Sequence, residues 1–172
     1  TVDEFDYLSS AESLGDFLIK IAVQSDKYAL WIGEHYQNES KLFTRLDASL
    51  YKGQLGIIWY LAYLAEVSKK DRYRKIAEKG IQHCLDNLLE DQFLKTSVGL
   101  FEGIGGFIYV ISHLQELWPD KNFDNYIEKI LASLPEKILQ DEQLDVISGT
   151  AGCLLALQSL YQVTQKTDVL QL

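Results

Sequence analysis

Three glycine pairs restrict what this chain can fold into more than any other feature. They lie in Tyr51-Lys-Gly53-Gln-Leu-Gly56, Phe101-Glu-Gly103-Ile-Gly-Gly106 and Ile147-Ser-Gly149-Thr-Ala-Gly152. Each Gly-x-x-Gly is followed by an apolar residue eight positions after its first glycine (Leu61, Ile111, Leu157). Another follows at eleven (Leu64, Leu114, Leu160). The first glycines recur after 50 and then 46 residues, a period that suits pairs of helices in an array. A helix glycine costs about 1 kcal/mol relative to alanine, so three matched pairs need a reason. Close approach of another backbone, or a turn with positive φ, supplies one. A phosphate cradle at a helix N-terminus is the rival reading. No Gly-Lys-Ser/Thr follows the pairs and their flanks are apolar, so the structural reading is preferred.

The residues after each pair are apolar on nearly all sides, as in Ile57, Ile58, Trp59, Tyr60, Leu61, Tyr63 and Leu64. Such a helix must be enclosed. Between these segments the pattern changes. Tyr73, Ile76, Ala77, Ile81, Cys84, Leu85 and Leu88 recur at three and four residues, with Arg74, Lys75, Glu78, Lys79, Gln82 and Asp86 on the other face. This predicts an amphipathic helix with one wet side, capped by Asp71. Tyr126, Ile127, Ile130, Leu131 and Leu134 repeat the pattern, and Pro135 is expected to break or restart that helix. Short polar connectors, Ser68–Asp71 and Pro119–Asn122, suit antiparallel neighbours. The predicted fold is all-α, with Gly-x-x-Gly helices inside and amphipathic helices outside. In the first fifty residues, Ser9 and Glu12 suggest a capping box. Leu14, Phe17, Leu18, Ile21 and Ala22 continue a helix face that Ala29–His35 would extend. No strand is expected.

Composition narrows function. Apolar residues make up 47% and charged residues 24% of the 172, as in a globular domain. The net charge of -9 argues against nucleic-acid backbones and anionic membranes as partners. The longest apolar stretches, such as Gly56–Ala65, are too short to span a bilayer. Thr1–Tyr7 shows no basic segment leading into an apolar run, so no signal peptide is expected. Cys84 and Cys153 lie far apart and form no disulfide framework, which fits a reducing, cytoplasmic setting. The chain starts without Met and contains none, which suggests a piece of something larger.

Leu50-Tyr-Lys-Gly-Gln-Leu-Gly-Ile57, Gly99-Leu-Phe-Glu-Gly-Ile-Gly-Gly106 and Asp145-Val-Ile-Ser-Gly-Thr-Ala-Gly152, with their apolar continuations, resemble the LanC-like family. Within it they resemble the cyclase domain of the class II lanthionine synthetases, LanM. The similarity covers about residues 45 to 165. It implies an α/α toroid of which residues 1–172 would form an N-terminal part of three to four hairpins. It also implies a zinc-dependent cyclase acting on a dehydrated, ribosomally made precursor peptide. A peptide cysteine thiolate adds to dehydroalanine or dehydrobutyrine and closes a thioether ring in lanthipeptide biosynthesis. The family's zinc ligands lie in a Trp-Cys-x-Gly and a Cys-His-Gly segment, and neither string occurs in this chain. Zinc is therefore expected in a complete family domain, no cofactor is assigned to these residues, and the chain alone is expected to be inactive.

Of the family's catalytic positions, only Asp145 maps onto this sequence. It is expected to open onto the concave side of the inner layer, although an acid before a helix also caps free N–H groups, and both roles stay open. Glu102, parallel to Ser148, is the candidate for lining the cavity and binding substrate. Gly53, Gly56, Gly103, Gly106, Gly149 and Gly152 read as structural. The His83-Cys84 pair and Cys153 invite a zinc reading, but too few ligands converge, and buried thiols are expected. His35 and His113 are isolated. Trp31, Trp59, Trp118 and the tyrosines read as packing. Two rival functions remain: a non-catalytic peptide- or protein-binding module, whose exposed end helices offer a surface for self-association, and another chemistry on a related toroid.

Overall fold

The computed structural model describes residues 6–37, 40–87, 97–167 and 169. Among these are six helices: α1 (Tyr7–Ile21), α2 (Gln54–Ser68), α3 (Asp71–Asp86), α4 (Ile104–Leu117), α5 (Asp124–Leu139) and α6 (Thr150–Thr164). The inner layer is α2, α4 and α6, each starting directly after the first glycine of a pair. α4 packs on both α2 and α6, so the three stand side by side in chain order. α1 and α3 lie against α2, and α5 lies against α4. This is a partial α/α toroid. The eighth and eleventh residues after each first glycine, Leu61, Ile111, Leu157, Leu64, Leu114 and Leu160, are all buried.

The outer helices follow the three-and-four spacing. Tyr73, Ile76, Ala77, Ile81, Cys84 and Leu85 are buried on α3, while Leu88 lies outside the described residues. Tyr73 ties α3 to α1, its hydroxyl proton shared between the Glu12 carbonyl at 3.2 Å and Asp16 at 3.0 Å. Tyr60 does the same from α2, donating to the Ala11 carbonyl at 2.7 Å.

Several local expectations are corrected. Residues 23 to 45 are not helical: β1 (Val23–Gln24) pairs with β2 (Ala29–Leu30), and β3 (Ile32–Gln37) pairs with β4 (Ser40–Arg45), both antiparallel. Ala29–His35 therefore forms strand where a helix was expected. Gly33 weakens a helix there, and Ile32 and Tyr36 favour strand. Trp31 pins the segment, buried between the hairpins with its Nε1 donating to the Leu18 carbonyl at 2.9 Å. α1 is capped by Asp6, whose carboxylate accepts from the Ser9 N–H, rather than by a Ser9/Glu12 box. Asp71 is the first helical residue of α3 and pairs with Lys75 at 2.7 Å, while Lys70 holds the cap position. α5 runs unbroken through Pro135, which is exposed, so water can satisfy the carbonyl it frees.

Candidate functional site

The loops before the inner helices form one rim. The Leu50 and Tyr51 N–H groups donate to the Phe101 carbonyl. Gly99, Leu100, Phe101 and Glu102 then donate to the carbonyls of Ser148, Val146 and Ile147. Each repeat thus hands its backbone donors to the next. The glycines permit this approach without positive φ: each first glycine is an extended helix cap, and no described glycine has a positive φ. The turn function expected of them gives way to close packing. In each repeat, a Cβ on the second glycine would overlap the carbonyl oxygen six residues earlier: Leu50 for Gly56, Leu100 for Gly106, Val146 for Gly152. Gly106 also lies against Leu50, and Gly152 against Leu100, from the preceding repeat.

Asp145 sits on this rim, exposed, with Oδ1 accepting from the Ser148 N–H at 2.7 Å and the Gly149 N–H at 3.3 Å. Its counterpart four residues before the first glycine of the first repeat is Ser49, whose Oγ accepts from the Lys52 N–H at 3.3 Å. A hydroxyl thus does the backbone work there that a carboxylate does here.

The start of α6 is held by another acid that the sequence reading missed. Asp141 Oδ2 accepts from the Thr150 N–H at 2.7 Å and the Thr150 hydroxyl at 2.6 Å. The hydroxyl bond is the main reason its carboxyl stays below the usual carboxylate range, with the N–H groups of Thr150, Gln143 and Leu144 adding to it. Asp141 stands eight residues before Gly149, outside the repeat template, so the pattern gave no cue. Glu102 is half-buried on the rim, its carboxylate 3.3 Å from Lys52 Nζ. Lys52 and Glu102 both directly precede a first glycine, so aligning the repeats would have revealed the pair.

Deeper on the inner wall, the sixth and tenth residues after the first glycines meet. Trp59 and Tyr109 lie edge to face with centroids 5.5 Å apart. Tyr63 and His113 share a 2.6 Å hydrogen bond through Nδ1. The His113 ring also contacts Trp59 and Tyr109. His113 is therefore not isolated, as the sequence suggested. Its ring is half-buried, and the loss of water lowers its pKa despite nearby Glu116. The unfolded chain then binds the proton first, so stability falls as pH drops below the ordinary histidine range and levels off beneath the folded value. The urea midpoint should accordingly fall between pH 7.5 and 5.5, and His113→Asn should flatten that fall. An unchanged slope in the variant would remove His113 from the account. The His35 side chain lies outside the described residues.

Cys84 and Cys153 are both buried thiols outside any disulfide, on an outer and an inner helix. Burial pushes the Cys153 thiol up to about 11, so it is inert at neutral pH. Among the described residues, no group of three or more His, Cys, Asp or Glu side chains is arranged to hold a metal ion. Among the described residues, no helix is long and apolar enough to cross a membrane.

Comparison with curated proteins gives no significant match. The family model of the lanthionine synthetase C-like proteins matches residues 44–172, which takes in all three glycine pairs, the rim and the inner wall. Taken with the repeat and the fold, that match over most of the length shows that the chain belongs to the lanthionine synthetase C-like family.

Proposed function

We propose that this chain is the N-terminal part of the cyclase domain of a class II lanthionine synthetase, and that its rim presents Asp145 to a dehydrated precursor peptide. The observation that carries this reading is Asp145 itself. It is an exposed carboxylate fixed by two backbone N–H groups, on a continuous rim of family-matched loops. In the reaction, a peptide cysteine sulfur bonds to the β-carbon of dehydroalanine or dehydrobutyrine. The π electrons move toward the α-carbon and its carbonyl, giving an enolate. The proton that left sulfur ends on the α-carbon, so atoms and charge balance. Asp145 suits carrying or steering that proton, because its Oδ1 bonds hold the carboxylate in one orientation. Glu102, tethered to Lys52, is assigned to the peptide-contacting wall of the rim.

The chain carries neither Trp-Cys-x-Gly nor Cys-His-Gly, so thiol activation by zinc is not assigned to its residues. By itself it binds peptide and closes no ring. Two cysteines that form no disulfide fit a reducing, cytoplasmic setting. Ring closure leaves peptide mass unchanged, so the test counts free thiols by alkylation. A dehydrated peptide with one cysteine should bind the chain and keep its thiol at the uncatalysed rate. Thiol loss catalysed by the chain alone would contradict the missing-ligand argument. Absence of any peptide binding would contradict the peptide-substrate reading.

A further inference from the structure

The inner helices α2, α4 and α6 contain no Lys or Arg, and their only carboxylates are Glu66 and Glu116. Both stand thirteen residues after a first glycine, in the last turn of their helices. That is the end where the helix dipole disfavours negative charge. Glu66 is relieved by Lys69 at 3.2 Å. Glu116 has no ion-pair partner among the described residues, and it is exposed. Its charge acts on the neighbouring His113 and Tyr63, favouring the protonated form of each, and no ion pair among the described residues offsets it.

Glu116 lines a cavity of about 430 Å3 between α4 and α6, together with His113, Ser159, Gln162 and Val163. Every polar group in that lining can accept a hydrogen bond, and no Lys or Arg is among them. His113, held by Tyr63 and half-buried, is biased toward its neutral form. It therefore leaves the Glu116 charge uncompensated at neutral pH. The same imidazole packs against Trp59, Tyr63 and Tyr109, which fix its ring beside the cavity. The cavity volume falls in the usual range for small-ligand sites.

We propose that this cavity is a cation subsite that takes the guanidinium or ammonium of an Arg or Lys side chain in a bound peptide. It rests on the peptide-substrate reading only for the source of that side chain. Glu116 supplies the counter-charge, and Ser159 and Gln162 supply acceptors. The subsite lies deeper on the wall than the rim, ten or more residues along the inner helices from their glycine starts, or about 15 Å at the helical rise. It would therefore fix a peptide residue remote from the reacting cysteine.

The test uses the chain itself with two probes, the tripeptide Gly-Arg-Gly and its uncharged isostere with citrulline in place of arginine. Trp31 and Trp118 are buried and Trp59 is half-buried, so binding should be read in Trp59 fluorescence, with His113 and Ser159 amide shifts as a second readout. The arginine peptide should bind at least tenfold more tightly than the citrulline peptide. Glu116→Gln should bring the two to the same affinity while leaving the melting temperature unchanged or slightly raised. Equal binding of both peptides, no binding of either, or an undiminished preference in Glu116→Gln would each overturn the proposal. Thiol counting reports on ring closure and not on this subsite, so loss of the cyclase reading and loss of this subsite are separately visible.

Discussion

Replacing Gly152 with alanine should lower stability by about 3 kcal/mol, a large fraction of what a domain of this size possesses. The new Cβ would overlap the Val146 carbonyl oxygen and the Leu100 amide nitrogen, which are bonded to each other at 3.1 Å. Both are backbone atoms, so no rotamer change relieves the overlap. The loop must shift, breaking one of the bonds that join the second repeat to the third. Better helix propensity returns only about 1 kcal/mol. At this chain length the melting temperature should drop by about 10 °C. Gly33→Ala is the internal control. There the Cβ would meet only the Leu46 side chain and no backbone atom, and that side chain can turn aside. Its melting temperature should move by no more than about 2 °C. Similar losses in both variants would show that the glycine is not serving backbone contact.

Asp145→Asn and Asp145→Ser should separate chemistry from capping. Either side chain can accept from the Ser148 N–H, and Ser49 already does this job in the first repeat at 3.3 Å. The melting temperature should therefore change by little, within about 1 kcal/mol of stability. In a cyclase domain completed by hairpins carrying the two zinc-binding strings, ring closure should fall by roughly 10²–10⁴-fold in both variants. Thiol counting against time gives the rate. Full activity in either variant would leave Asp145 as a cap alone. Parallel loss of stability and rate would point the same way.

The layered architecture was legible because its cause is local. The glycine pairs, the greasy helices and the amphipathic ones each follow from spacing, and Leu64, Leu114 and Leu160 occupy the buried places the period assigns them. The hairpins of residues 23 to 45 were not legible. They depend on Trp31 anchoring to Leu18 and on cross-strand pairing, neither of which leaves a period of 3.6. Pro135 misled because its cost depends on exposure, which spacing does not report. At the rim, Asp145 and Glu102 were singled out through the repeat and the family resemblance, and both lie in the loops that precede inner helices. Asp141 was missed because its partner Thr150 lies nine positions further along the chain. The Tyr63–His113 bond was missed because it joins residues fifty apart, visible only when helices from successive repeats are aligned.

The claim beneath all of this is that the three glycine-led loops form one continuous rim, bonded repeat to repeat. Residue-resolved amide hydrogen exchange measures those bonds directly. Leu50, Tyr51, Gly99, Leu100, Phe101 and Glu102 all donate across a repeat boundary, so their exchange should be slowed by about 10²-fold or more and should open together with α4 and α6. Exchange of Leu100 and Phe101 at the rate of an unstructured peptide would contradict the rim, and with it the placement of Asp145.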